Sequence, residues 1–364
     1  MPDDGEPDAK SKLTEATRPP KVAPRPLVPA NDTDGNMSNA VHPSEGAASM
    51  PGKTYKHMIP LEQQLPKNPE RKSKLIPLDE AGKIIASKKI VSIAGSHSMD
   101  AAMSLIRAAI KAGAKDMTLV PPTTTSLAAD LWIAAGALKK LYLSYVGFEF
   151  LGFAPCFRKA AEEQSLEIVE ADEPFIQLGT QAAAGGRPFN VVQYLYEATV
   201  HPQLNKELKT VVDPFTGKTV YAIPALKSDV AIIHAQAADI YGNAQCWGGN
   251  RQEPDKCKAA GLVIIQADKI VSTEEISKDA SKTTVPGPWV DYVVHAPFGA
   301  HPTFSSAHYA VDETHLRLYL DMCRDGKQKD YLDKYVYGPK DHWEYLELVG
   351  GMKRMTELQT MLAI

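Results

Sequence analysis

Cysteine is scarce in this chain. There are four in 364 residues, Cys156, Cys246, Cys257 and Cys323, and no two stand at Cys-x-x-Cys spacing. That excludes a disulfide-stapled scaffold and the common zinc-finger spacings. Reduced thiols in a cytoplasmic protein are the expectation. No stretch approaches the roughly 20 apolar residues of a membrane span, so no membrane partner is expected. The opening Met1-Pro2-Asp3-Asp4-Gly5-Glu6 is acidic and lacks the apolar core of a secretory signal. Charge of one sign is also missing. Forty basic residues face 44 acidic ones, for a net charge of −4 and a pI near 6.2. Neither nucleic acid nor an anionic lipid surface is an expected partner. No internal repeat is visible.

What is present divides in two. Residues 1–70 hold about a dozen of the 27 prolines, with many Ser, Asn, Asp and Lys and few large apolar residues. Such a segment buries too little apolar surface to offset its ordering entropy, which predicts an extended or disordered arm. Residues 71–364 have ordinary globular composition and are expected to form one domain.

Within that domain, the pattern predicts a short helix over 79–87 and a buried strand over 88–95. Asp100 is the expected N-cap of a helix over 101–112, stopped by Gly113. A strand over 116–120 follows. Ser126 is the expected cap of a helix over 127–135, before a strand over 140–146. Further strands are expected at 166–169, 220–223, 230–235, 262–267, 269–274 and 290–296, with helices from 312 to 362. The alternation predicts an α/β fold, a largely parallel sheet flanked by helices, with a helical C-terminal part.

Several motifs could carry chemistry. Gly95-Ser96-His97-Ser98-Met99-Asp100 joins a strand to a helix, where backbone N–H groups and the Ser96 and Ser98 hydroxyls suit an anion. Leu143-Ser144-Tyr145-Val146-Gly147-Phe148-Glu149-Phe150 closes a strand on a turn, and Gly147 there permits a positive φ. Glu170-Ala171-Asp172-Glu173-Pro174 precedes an Ala/Gly-rich tract expected to turn, Gly179-Thr180-Gln181-Ala182-Ala183-Ala184-Gly185-Gly186. Pro174 makes Glu173 the start of a helix. Glu173 is then either a first-turn carboxylate or a cleft residue. His234, in a buried strand before the turn Asp239-Ile240-Tyr241-Gly242-Asn243, reads as a core or a catalytic histidine. Asn250-Arg251-Gln252-Glu253 offers an arginine, exposed or anion-binding. His295 and His301 lack a third ligand, so no metal site is expected.

Taken in order, these motifs and the later Pro297-Phe298-Gly299-Ala300-His301 and Tyr335-Val336-Tyr337-Gly338 resemble the A half of the family I coenzyme A transferases, over residues 75–350. The later motifs resemble the A half of the glutaconate type; the A halves of steroid ring-opening CoA hydrolases are similar too. Ser96 departs from the family's glycine pair, and Phe148-Glu149 stands where single-chain relatives continue Glu-Asn.

The resemblance implies an acyl-CoA cleft at a subunit interface. It implies Gly95, Ser96, Ser98, Ser144, Tyr145, Gly147, Phe148 and Gln181 as substrate- or CoA-binding residues. Family members pass CoA between carboxylic acids through a glutamyl-CoA thioester. No Ser-Glu-Asn-Gly or similar segment stands here, so the resemblance assigns the nucleophile to a B-subunit partner. Coenzyme A is then a substrate, with no permanently bound cofactor. The hydrolase branch implies a catalytic role for Glu173, and with it an alternative as part of a CoA-dependent carbon–carbon hydrolase or decarboxylase. The same fold also serves as an effector-binding module behind a helix-turn-helix. Residues 1–70 show no such helices.

Overall fold

The computed structural model describes residues 71–193, 196, 199–248 and 252–362. The arm expected over 1–70 lies outside these residues, as do Asn250 and Arg251. The chain opens with α1 (Leu78–Ala86), β1 (Ile90–Ile93), α2 (Met103–Lys111), β2 (Met117–Val120), α3 (Leu127–Ala134) and β3 (Leu138–Leu143). Then come α4 (Pro155–Glu162), β4 (Glu167–Glu170) and α5 (Glu173–Ala184). An inserted stretch holds β5 (Phe189–Val192), α6 (His201–Leu204), β6 (Lys209–Val212) and β7 (Thr219–Pro224). The sheet resumes with β8 (Val230–Ala238), β9 (Ala244–Gln245), α7 (Glu253–Ala259), β10 (Val263–Ile270), α8 (Thr273–Lys278) and β11 (Tyr292–His295). Four helices close the chain: α9 (Glu313–Arg324), α10 (Gln328–Leu332), α11 (His342–Leu348) and α12 (Gly351–Leu362).

Seven strands form a parallel sheet in the order β11-β10-β8-β1-β2-β3-β4, with β9 antiparallel to β8. Alternate residues feed opposite faces, as the pleat requires. Ile232 and Ile264 pack with α1, α2, α3 and the C-terminal helices, while Ile233 and Ile265 pack on the other side with Cys257 of α7. All nine residues of β8 are buried. That is the pattern of a central parallel strand covered on both faces. Each such Ile or Val removed from water contributes about 1.5–3 kcal/mol.

Four expectations need correction. The strand at 220–223 exists, but it belongs to a separate antiparallel sheet, β5-β7-β6, not the parallel one. The strands expected at 262–267 and 269–274 are one strand, β10; Ser272 then caps α8, which takes in Glu274. The tract from Gly179 to Ala184 is helical, inside α5, rather than a turn. It is small because Leu226 and the Pro224 carbonyl press against Gly179, within 2.9 Å of where a Cβ would sit. Asp100 caps nothing: α2 begins two residues past Ala101, and Asp100 is buried with other partners.

Candidate active site

Strands of a parallel sheet end on one side, and loops gathered there are the usual place for ligands. Here the loops after β1, β2 and β3 are sewn together. His97 N–H donates to the Thr124 carbonyl (3.0 Å), Thr125 N–H to the Tyr145 carbonyl (3.1 Å), and Gly147 N–H to the Thr125 carbonyl (3.0 Å). Hydroxyl pairs reinforce the seam: Ser96 with Thr124 at 2.9 Å and Ser98 with Ser126 at 2.8 Å. Ser126 also donates to the His97 carbonyl, so it ties loops rather than capping α3. Behind β2, the buried Lys256 ammonium reaches the Val120 and Pro121 carbonyls at 3.3 and 2.9 Å. Burial pulls its pKa down to about 7, against the pull of Glu253.

The turn after β1 differs from an anion cradle. The N–H groups of Ser96, His97, Met99 and Asp100 are all taken by protein carbonyls. What it presents is the half-buried Ser96, His97 and Ser98 side chains. Gly95 is required here: its φ is +98°, and a Cβ would stand 2.5 Å from the Met99 carbonyl oxygen. The Asp100 carboxylate anchors the turn from beneath. It accepts from Gln236 Nε2 (2.8 Å), Ser306 N–H (2.8 Å) and Ser306 Oγ (2.6 Å).

After β3, Ser144 is half-buried and Tyr145 exposed. Gly147 has no positive φ, against expectation. It is glycine for room, since a Cβ would meet the Tyr145 hydroxyl at 2.5 Å. That hydroxyl accepts from Glu149 N–H at 3.3 Å. Phe148 is a second correction: it is buried against Tyr319, ring centroids 6.0 Å apart, and is core rather than substrate-facing. Phe150 and Phe153 beside it are 77% and 75% exposed.

The loop after β4 adjoins this group, because Ala171 N–H donates to the Leu143 carbonyl (2.8 Å). Asp172 caps α5 through Phe175 N–H (2.8 Å) and also accepts from the Tyr196 hydroxyl (2.7 Å). Glu173 therefore opens the helix, exposed, with no hydrogen bond or ion pair to another described residue. Gln181 lies eight residues further, roughly 12 Å along the helix axis and away from the strand ends. The structure thus gathers Gly95, Ser96, Ser98, Ser144, Tyr145, Gly147 and Glu173 past the C-terminal ends of β1, β3 and β4, and leaves out Phe148 and Gln181.

Sequence reading missed one pair. His97 Nδ1 stands 2.7 Å from Glu149 Oε1, and the His97 ring leans on Tyr145 at 6.0 Å between centroids. Glu149 was visible only as a carboxylate one position later than in single-chain relatives.

His234 is a core residue. Its Nε2 pairs with Ser305 Oγ at 3.0 Å and its Nδ1 with Gln266 Nε2 at 2.9 Å, all fully buried. Among the described residues no group of three His, Cys, Asp or Glu is arranged to hold a metal, and no helix is long and apolar enough to cross a membrane.

Comparison with known proteins bears on the family and the fold. Residues 77–296 match the family described as coenzyme A transferase. The A chain of glutaconate CoA-transferase from Acidaminococcus fermentans is 34% identical over 54% of this chain and 67% of its own length. The crystal structure of that organism's glutaconate CoA-transferase superposes with a TM-score of 0.73 at 29% identity. It covers 79% of this chain and 96% of that one. The IpdA subunit of a cholesterol ring-cleaving hydrolase from Rhodococcus jostii is 30% identical, over 75% of this chain and 95% of its own.

Proposed function

The chain belongs to the coenzyme A transferase family, and from that premise we propose that it is the A half of an acyl-CoA:carboxylate CoA transferase of the glutaconate type. The observation that carries this reading is the match to nearly the whole of one glutaconate CoA-transferase chain, 96% of it. The edge of loops that gathers Ser96, Ser98, Ser144, Tyr145 and Glu173 supports it as the acyl-CoA face. Phe150 and Phe153, exposed on the loop beside that face, support a B-subunit partner seated there. Four free cysteines suit a reducing cytoplasmic setting.

In this reading the partner's glutamate carboxylate attacks the acyl-CoA carbonyl, and CoA thiolate leaves an acyl-glutamyl anhydride. The thiolate returns to the glutamyl carbonyl and frees the first acid. An acceptor carboxylate then reverses the sequence. This chain supplies hydroxyl donors toward the developing oxyanion and one wall of the acyl-CoA cleft. Coenzyme A enters and leaves as substrate.

Glu173 favours one second reading. A carboxylate at the site's edge, with no described partner, suits a general base in a CoA-dependent carbon–carbon hydrolase or decarboxylase. One experiment separates the two. The chain is purified with its native partner, given acyl-CoA, reduced with borohydride, and both chains are mapped by mass spectrometry. Reduction of a glutamyl thioester to the alcohol on a partner glutamate is the expected result. No mark, with the acyl group cleaved at a carbon–carbon bond and no acceptor acid needed, would replace transfer with the Glu173 hydrolase or decarboxylase reading.

A further inference from the structure

His97 and Glu149 come from loops two strands apart, after β1 and β3, and meet across the β2 loop. Both carry left-handed backbone, φ +49° and +54°. Such conformations cost of order 1 kcal/mol each for residues with a Cβ. A half-exposed His–Glu contact returns little of that in stability. Strain kept without a stability return is a feature of working sites. The 2.7 Å contact is close but not aligned as a hydrogen bond. Catalytic contacts commonly tighten only when substrate is bound. A carboxylate at Nδ1 favours the proton there and leaves the Nε2 lone pair free. His97 Nε2 makes no hydrogen bond to another described residue.

CoA transfer itself moves no proton: a carboxylate attacks and a thiolate leaves. A proton acceptor at this edge serves a different nucleophile. We infer that His97, held by Glu149, activates water, giving the complex an acyl-CoA hydrolase activity when no acceptor carboxylate is bound. Water gives a proton to His97 Nε2 as its oxygen bonds the thioester carbonyl carbon. The C–S bond breaks, and the departing thiolate takes that proton, leaving free CoA and the carboxylic acid. The inference rests on the acyl-CoA face proposed above.

The test uses the chain purified with its native partner and glutaconyl-CoA as probe. Free CoA is followed without acceptor, and acetyl-CoA formation with acetate. The wild-type complex is expected to release CoA without acetate. His97→Gly should lower that rate about 10²-fold, the scale of one acid–base residue, and added imidazole should restore much of it. Glycine suits φ +49°, so the variant relieves strain rather than unfolding the loop. His97→Asn, also at ease in left-handed backbone, should lose the rate without rescue. Glu149→Gln should reduce kcat about tenfold with little change in KM. Absent hydrolysis in wild type, or hydrolysis undiminished in His97→Gly, overturns the inference. Acetyl-CoA formation is the separate check on the function. His97-dependent hydrolysis with no acetyl-CoA would sustain the inference and sink the transferase reading.

Discussion

At the scale of single residues, two glycines near the site are fixed for different reasons, and mutation should tell them apart. Gly95 has left-handed backbone and backbone oxygens in its Cβ space. Gly95→Ala should destabilise the chain by about 2–3 kcal/mol, read as a lowered denaturation midpoint. Gly147 has ordinary backbone and only the tip of Tyr145 in its way. Gly147→Ala should leave stability within about 0.5 kcal/mol. It should instead swing Tyr145 off the Glu149 N–H and lower kcat/KM by about tenfold, a loss near 1.4 kcal/mol. If both variants lose stability equally, the distinction is wrong. Lys256 makes a similar point about burial. The amine, brought down to a pKa of about 7 by burial, clamps the β2 loop through the Val120 and Pro121 carbonyls.

At the scale of elements, α5 places Glu173, and its start depends on Asp172. Asp172→Ala removes the cap bond to Phe175 and strands the buried Tyr196 hydroxyl. The two losses, about 1 kcal/mol for the cap and 1–3 for the hydroxyl, should show as a lowered urea midpoint that Asp172→Asn largely restores. A midpoint unmoved by Asp172→Ala would mean α5 is set by packing alone. This helix start was legible in the sequence, because Pro174 fits only a first turn. The parallel sheet was legible too, from apolar runs such as Val230–Ala235. The strands β5 and β6 were not: both are largely exposed and show no clean alternation. Asp100 looked like a cap because it precedes an apolar run. Its true partners, Gln236 and Ser306, stand 136 and 206 residues away, and no local pattern contains them. The His97–Glu149 contact was hidden likewise, since it depends on which strand lies between two others.

At the scale of the whole molecule, the C-terminal helices hold two buried neutral histidines. Burial pushes the His342 pKa down to about 4 and that of His315 down to about 3, each helped by the Arg107 charge. Their folded pKa values lie below the unfolded value near 6.5. Unfolded chains therefore bind more protons between those limits, and the stability these groups contribute is complete above pH 6.5. It is lost as pH falls toward 4, by up to about 1.4 kcal/mol per pH unit for each. His342→Gln should flatten the melting temperature across pH 4–6.5 relative to wild type. An unchanged slope would rule out His342 as a source of acid sensitivity. Partner binding belongs to this scale as well. Phe150→Ser with Phe153→Ser should weaken A/B association at least tenfold while the isolated chain melts as before, measured by sedimentation.

The carboxylate of Asp100 has a consequence for how the chain comes off the ribosome. The turn it anchors is made early, yet Ser306 must have emerged before that anchor can close. Until then a charged group destined for the interior waits in water, and the loop around Ser96 and His97 has nothing beneath it. Long sequence separations slow folding by their closure entropy. The edge proposed to meet acyl-CoA should therefore mature only once residue 306 has emerged, and a nascent chain stalled before that point should lack the anchored turn after β1.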